Sequence, residues 1–190
     1  MKNLVIAALS LTAASAWPHP QIFTVINQSG QPVKDAVVSI MVKDAKATTT
    51  TAIANLAQRD RQFTPTVLAI QTGTSVSFPN FDTVRHHVYS FSPIKNFELR
   101  LYAGTPAAPI VFDKPGTATI GCNIHDKMLA YIHVVSTPYF GLTDAGGNLS
   151  IDVPLGDHLV QVWSPGMGET RLPHETKLKT GNPMTVKIIE

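Results

Sequence analysis

The stretch Gly121-Cys122-Asn123-Ile124-His125-Asp126-Lys127-Met128 places a thiol, an imidazole and a thioether within seven residues. Its cysteine is the only one in 190 residues. A soft thiolate, a borderline imidazole and a weak thioether are a poor donor set for Mg, Ca or Zn. They suit copper that cycles between Cu(II) and Cu(I). A trigonal copper centre of that kind needs a second imidazole in its plane, and His86-His87 lies upstream in a predicted strand. One of that pair with Cys122, His125 and Met128 would make a His₂Cys site with an axial thioether.

Alternation along strands sorts these side chains by face. His87 shares its parity with Tyr89 and Phe91, and His86 with Val88 and Ser90, so alternation alone leans to His87. Met128 shares a face with Ala130, Ile132 and Val134, where a core belongs. His133 points away from that face, as a surface or second-face residue. His125 falls in the tight connection after Cys122, at an edge where electrons could pass. His158 and His174 lie in turn-rich, polar surroundings and read as solvated. His19 invites an amino-terminal copper clip, but such a clip needs the N–H of the preceding residue, and Pro18 has none.

The first sixteen residues read as a secretory signal. Lys2 supplies the positive start, 4–11 the apolar run, and Ala14-Ser15-Ala16 the small-residue cleavage site. The run is too short to span about 30 Å of hydrocarbon, so a mature chain from Trp17 without a membrane anchor is expected. In an oxidising compartment a lone cysteine has no internal disulfide partner and is open to oxidation unless sheltered. A buried inert thiol or an intermolecular pairing is the bland alternative. The neighbouring His and Met argue against both.

Composition bounds the rest. Loss of Lys2 with the leader leaves 14 basic against 13 acidic residues, a formal charge of +1, so no basic field for nucleic acid is implied. With 14 Pro, 12 Gly and many Thr and Val, an all-β build is favoured. Strands are predicted over 22–27, 36–42, 67–71, 75–78, 86–91, 97–102, 110–112, 118–122, 129–135, 159–163 and 185–189. The segment 51–62 holds the single plausible helical turn or two. Ala145-Gly146-Gly147-Asn148 reads as a tight turn between two strands.

Taken together, 62–135 resembles the cupredoxin family, the blue-copper electron carriers such as amicyanin and plastocyanin. Gln62-Phe63-Thr64-Pro65 looks like that family's F-x-P entry strand, and Gly73-Thr74-Ser75-Val76-Ser77-Phe78-Pro79-Asn80 resembles its G-x-x-V-x-F-x-N strand. The first histidine of the family follows that Asn by six residues, which selects His86 over His87. Cys122-x-x-His125-x-x-Met128 is similar to amicyanin's short ligand loop. Three positions depart from the pattern. Arg85 stands where a proline commonly precedes the first histidine. His87 stands where an asparagine commonly ties the ligand loops together. Asp126-Lys127 replaces more apolar residues beside the second histidine.

The chain ends carry a second resemblance. Residues 30–38, 143–149 and 153–156 look like strands of a carboxypeptidase regulatory-like β-sandwich, a module without chemistry of its own. Exported bacterial proteins with this combined pattern are often labelled methylamine-utilization proteins.

The resemblances imply an all-β, cupredoxin-like Greek-key β-sandwich or barrel with an additional small β-sandwich-like region. The implied layout is a signal peptide over 1–16, a β segment over 17–61, a copper domain over 62–136, and a regulatory-like region over 137–190 completed by 21–45. One type 1 copper would be held by His86, Cys122, His125 and Met128, with no catalytic residue. The implied function is exported one-electron transfer between redox partner proteins, such as a c-type cytochrome or a periplasmic oxidoreductase, by a monomer. The alternative is periplasmic copper binding, delivery or sensing. Met41, Met128, Met167 and Met184 are scattered rather than clustered, which argues against it. A metal-free adhesion or scaffolding sandwich would leave the Cys122 loop unexplained.

Overall fold

The structure, a computed structural model, describes residues 18–45, 53–106 and 108–190. The expected leader and cleavage point lie outside the described residues. Among those described, regular structure is strand throughout, apart from one 3₁₀ turn at Pro165–Met167. No described helix is long and apolar enough to cross a membrane.

The chain opens with β1 (His19–Ile26) and β2 (Val37–Met41). It then runs through β3 (Ile53–Asn55), β4 (Ala57–Arg59), β5 (Gln62–Thr64), β6 (Val67–Gln71) and β7 (Thr74–Ser77). Next come β8 (His86–Ser92), β9 (Lys95–Tyr102), β10 (Ile110–Phe112), β11 (Gly116–Cys122) and β12 (Leu129–Val135). It closes with β13 (Phe140–Leu142), β14 (Asn148–Val153), β15 (Asp157–Trp163), β16 (His174–Lys179) and β17 (Met184–Lys187).

Two buried clusters organise these strands. In the first, the sheet β6-β12-β11-β8-β9 is accompanied by β10-β7-β3, around Leu56, Val76, Phe78, Phe112, Ile120 and Ile132. The parallel pairings β6 with β12 and β3 with β7 require crossovers, which gives the Greek-key layout. In the second, β14-β1-β17 and β13-β2-β15-β16 enclose Phe23, Val38, Ile40, Val162, Trp163 and Ile188. This second core joins the two ends of the chain, because β1 pairs with β14 and β17 while β2 pairs with β13 and β15. Both clusters consist mainly of β-branched and aromatic side chains, which pack well on a pleated surface.

The outer face of β12 joins the cores. Tyr131 lies edge-on to Trp163 at 5.4 Å, and His133 stacks on the same indole at 4.8 Å and 12°. His133 is therefore a buried second-face residue rather than a surface one. Its Nδ1 lies 2.9 Å from the Thr117 hydroxyl.

Three sequence expectations need correction. The helical turn expected in 51–62 is replaced, over the described part, by β3, β4 and the start of β5. Leu56 and Gln58 are fully buried there, and the pairing of β3 with β7 and of β4 with β5 overrides the local Ala-rich preference. The Ala-Gly-Gly-Asn turn forms, but its flanking strands enter different sheets, β13 on β2 and β14 on β1. His174 opens β16, an edge strand absent from the pattern because Leu178 is its one buried side chain. Both His174 and His158 are half-buried, and His158 Nε2 lies 2.8 Å from the Pro154 carbonyl.

Candidate metal centre

Three strand ends bring the donors together. Cys122 is the last residue of β11 and pairs with Val88 of β8, so β8 delivers its first residues beside the thiol. The β8–β9 ladder slips between His86 and Val88, which ends regular pairing where the site begins. The 122–128 connection is short and is closed by the Met128 N–H donating to the His125 carbonyl at 2.9 Å. A second tie runs from the Asn123 N–H to the His87 carbonyl at 3.2 Å. This backbone contact links the start of β8 to the 122–128 connection.

The Cys122 Sγ lies 3.7 Å from His86 Nδ1 and 3.9 Å from His125 Nδ1. All three donor atoms fall within 4.8 Å of one another. The two imidazole rings are 5.0 Å apart and inclined at 57°. Bond lengths of about 2.0 Å to nitrogen and 2.3 Å to sulfur predict an N–S separation of roughly 3.7 Å around a metal in the donor plane, and roughly 3.5 Å for a tetrahedron. The observed N–S spacings are close to these values, so the thiol and both imidazoles can reach one metal ion. His86 and Cys122 are buried, and His125 is half-buried between the exposed Ile124 and Asp126. Met128 is buried in the same core cluster as Cys122.

His86 and His87 divide as strand faces require. His86 joins the core face with Val88 and Ser90, all three fully buried. His87 faces outward, with Nε2 2.8 Å from a Glu98 carboxylate oxygen. Alternation leans to His87 because aromatic residues share its parity, yet those aromatics form an outward ladder. The Tyr89 and Phe91 rings lie 5.0 Å apart, tilted at 33°, and Phe91 is 71% exposed. Tyr89 can lie flat there because its cross-strand neighbour is Gly121, where a Cβ would sit 2.8 Å from the ring.

The loop before His86 is internally bonded. Asn80, buried, donates through Nδ2 to the Val84 and Tyr102 carbonyls at 2.9 and 3.1 Å, and its Oδ1 accepts from the Asp82 N–H at 2.9 Å. Tyr102 donates its hydroxyl to the Phe78 carbonyl at 2.7 Å, and burial pushes its phenol up to about 12, so it stays a neutral donor.

Asp82 is the residue that sequence reasoning missed. Its Oδ2 lies 2.7 Å from His86 Nε2 and accepts from the Arg61 N–H at 3.0 Å, while Oδ1 accepts from the Asp60 N–H at 2.7 Å. Burial raises its pKa, but the hydrogen bonds from His86, Arg61 and Asp60 outweigh that and hold the carboxyl below its ordinary value. The available signal was an acidic residue four positions before a candidate ligand.

No family model and no curated protein matches the chain. Solved structures do. An amicyanin from Paracoccus versutus aligns over 52% of this chain and 97% of its own, at 14% identity and a TM-score of 0.38. A reduced amicyanin variant aligns over 52% and 98%, at 15% identity and 0.40. A copper-containing nitrite reductase from Thermus scotoductus aligns over 58% of this chain and 28% of its own, at 23% identity and 0.42.

Proposed function

We propose that this chain is an exported type 1 copper protein that carries one electron at a time between redox partner proteins. The observation that supports it is the convergence of one thiol and two Nδ1 atoms, at 3.7 and 3.9 Å from the sulfur, a donor set that suits copper. When bound, copper supplies a one-electron couple between Cu(II) and Cu(I). His86, Cys122 and His125 would hold it, with Met128 as the weak fourth donor.

The chain's part is to hold these groups still. Cys122 and His86 sit at the ends of paired strands inside a packed core, so both oxidation states meet one geometry. Cys122 is only 4% exposed. His125, half-buried, is the donor that reaches the surface. Its ring lines a groove of about 370 Å³ with Arg61, Phe63, Lys127 and Leu129. A c-type cytochrome or periplasmic oxidoreductase docking on this side would come within reach of the imidazole edge. The role asks for no general acid, base or nucleophile, and the protein would act as a monomeric carrier rather than an enzyme.

The test is a visible and electron paramagnetic resonance spectrum of the copper-loaded mature protein. One copper per chain with intense thiolate-to-copper charge transfer is expected, together with complete loss of that band in Cys122→Ser. An intense band surviving in the variant would sink the assignment, since no other thiol exists.

A further inference from the structure

Asp82 joins two features that the fold does not otherwise need to connect. One is the buried ring of His86. The other is the β4–β5 hairpin, whose turn residues Asp60 and Arg61 both sit at positive φ, 53° and 56°. Two successive non-glycine residues in the left-handed region cost about 1–2 kcal/mol each. Both donate their N–H groups to Asp82. Among the described residues Asp82 forms no ion pair with Lys or Arg, so its charge faces the imidazole uncompensated.

A carboxylate can only accept hydrogen bonds, so the 2.7 Å contact places the ring proton on His86 Nε2. The lone pair is then left on Nδ1, the atom 3.7 Å from Cys122 Sγ. We infer that Asp82 is a positioning residue for the metal centre, fixing the Nε2–H tautomer of His86 and placing behind the ring a fixed negative charge that favours Cu(II) over Cu(I). This rests on the copper reading above. A carboxylate behind a ligating histidine raises the ring's basicity as a donor, and loss of such a partner typically costs about 10–100-fold in metal affinity.

Two variants separate charge from orientation. Asp82→Asn keeps an acceptor oxygen and removes the charge. It should weaken Cu(II) relative to Cu(I) binding about tenfold or more, read by voltammetry as a rise in potential of about 59 mV or more. Asp82→Ala removes both. In the metal-free protein, ¹⁵N imidazole spectra should show His86 as the Nε2–H tautomer in wild type and Asp82→Asn, and as a mixture in Asp82→Ala. A potential unmoved in Asp82→Asn, or an unchanged His86 tautomer in Asp82→Ala, overturns the inference. If wild type shows no thiolate-to-copper band, the copper reading fails, and the tautomer comparison still decides whether Asp82 orients the ring.

Discussion

Asp82 and Asp144 shape turns in the two halves of the molecule by the same means. Asp144 Oδ1 accepts from the Gly146 and Asn148 N–H groups, both at 2.8 Å, and every partner belongs to its own turn. Asp82 reaches instead across to another hairpin and to the imidazole of His86. The chain-end sandwich has distant loop contacts too, since the Thr143 hydroxyl accepts from the Ala36 N–H at 2.9 Å and donates to the Val33 carbonyl at 2.7 Å, but these surround an aliphatic core with Trp163 at its heart. The other sandwich leaves its loop side chains directed at one point. A packed β core supplies rigidity in both halves, and candidate chemistry arises where a thiol and two imidazoles are among the groups that converge.

If the halves are separable in this sense, damage to the chain-end core should cost stability and leave the site alone. Trp163 is fully buried, donates its indole N–H to the Gly168 carbonyl at 2.7 Å and carries the His133 stack. Trp163→Ala should cost about 3–5 kcal/mol of folding stability, measured by denaturant unfolding, with the copper spectrum unchanged. A shifted charge-transfer band in the folded variant would show that the two cores are coupled.

The seam itself should respond to acid. Burial lowers the His133 pKa from 6.5 to about 4, so the folded protein holds a neutral ring. The unfolded chain binds a proton below 6.5 that the folded chain refuses. The stabilisation is therefore whole above pH 6.5 and erodes as pH falls towards about 4, by roughly 3 kcal/mol in all. His133→Phe keeps an aromatic ring for Trp163, and subtracting its stability profile from that of wild type should isolate this slope. Parallel profiles between pH 4 and 6.5 would place the acid sensitivity elsewhere.

Met128 gives the smallest expected effect and bears on the site alone. A thioether favours Cu(I), so a harder amide oxygen in Met128→Gln should favour Cu(II) and lower the potential by on the order of 100 mV, about 2.3 kcal/mol. Copper should stay bound through Cys122, His86 and His125. An unchanged potential would assign Met128 to core packing, and loss of copper would favour a delivery site.

Much of this could be read from short-range pattern. Cys122, His125 and Met128 lie within one connection, so their spacing alone brings a thiol, an imidazole and a thioether into one neighbourhood. The alternation of Met128, Ala130, Ile132 and Val134 marks a core face, and all four are buried. Long strands such as β8 and β12 announce themselves because one face is apolar. β3, β4 and β16 do not, since each buries at most one side chain and so shows no apolar face.

The sequence by itself determined the donor types, their order along the chain and the all-β build, because residue chemistry and period-two alternation are local properties. Strand parity named two faces for His86 and His87 but not which one is covered, and the tertiary structure places His86 on the covered face beside Cys122. It alone revealed Asp82 behind the ring and His133 against Trp163. Those contacts depend on strand register and sheet order, which bring together residues with no local pattern in common.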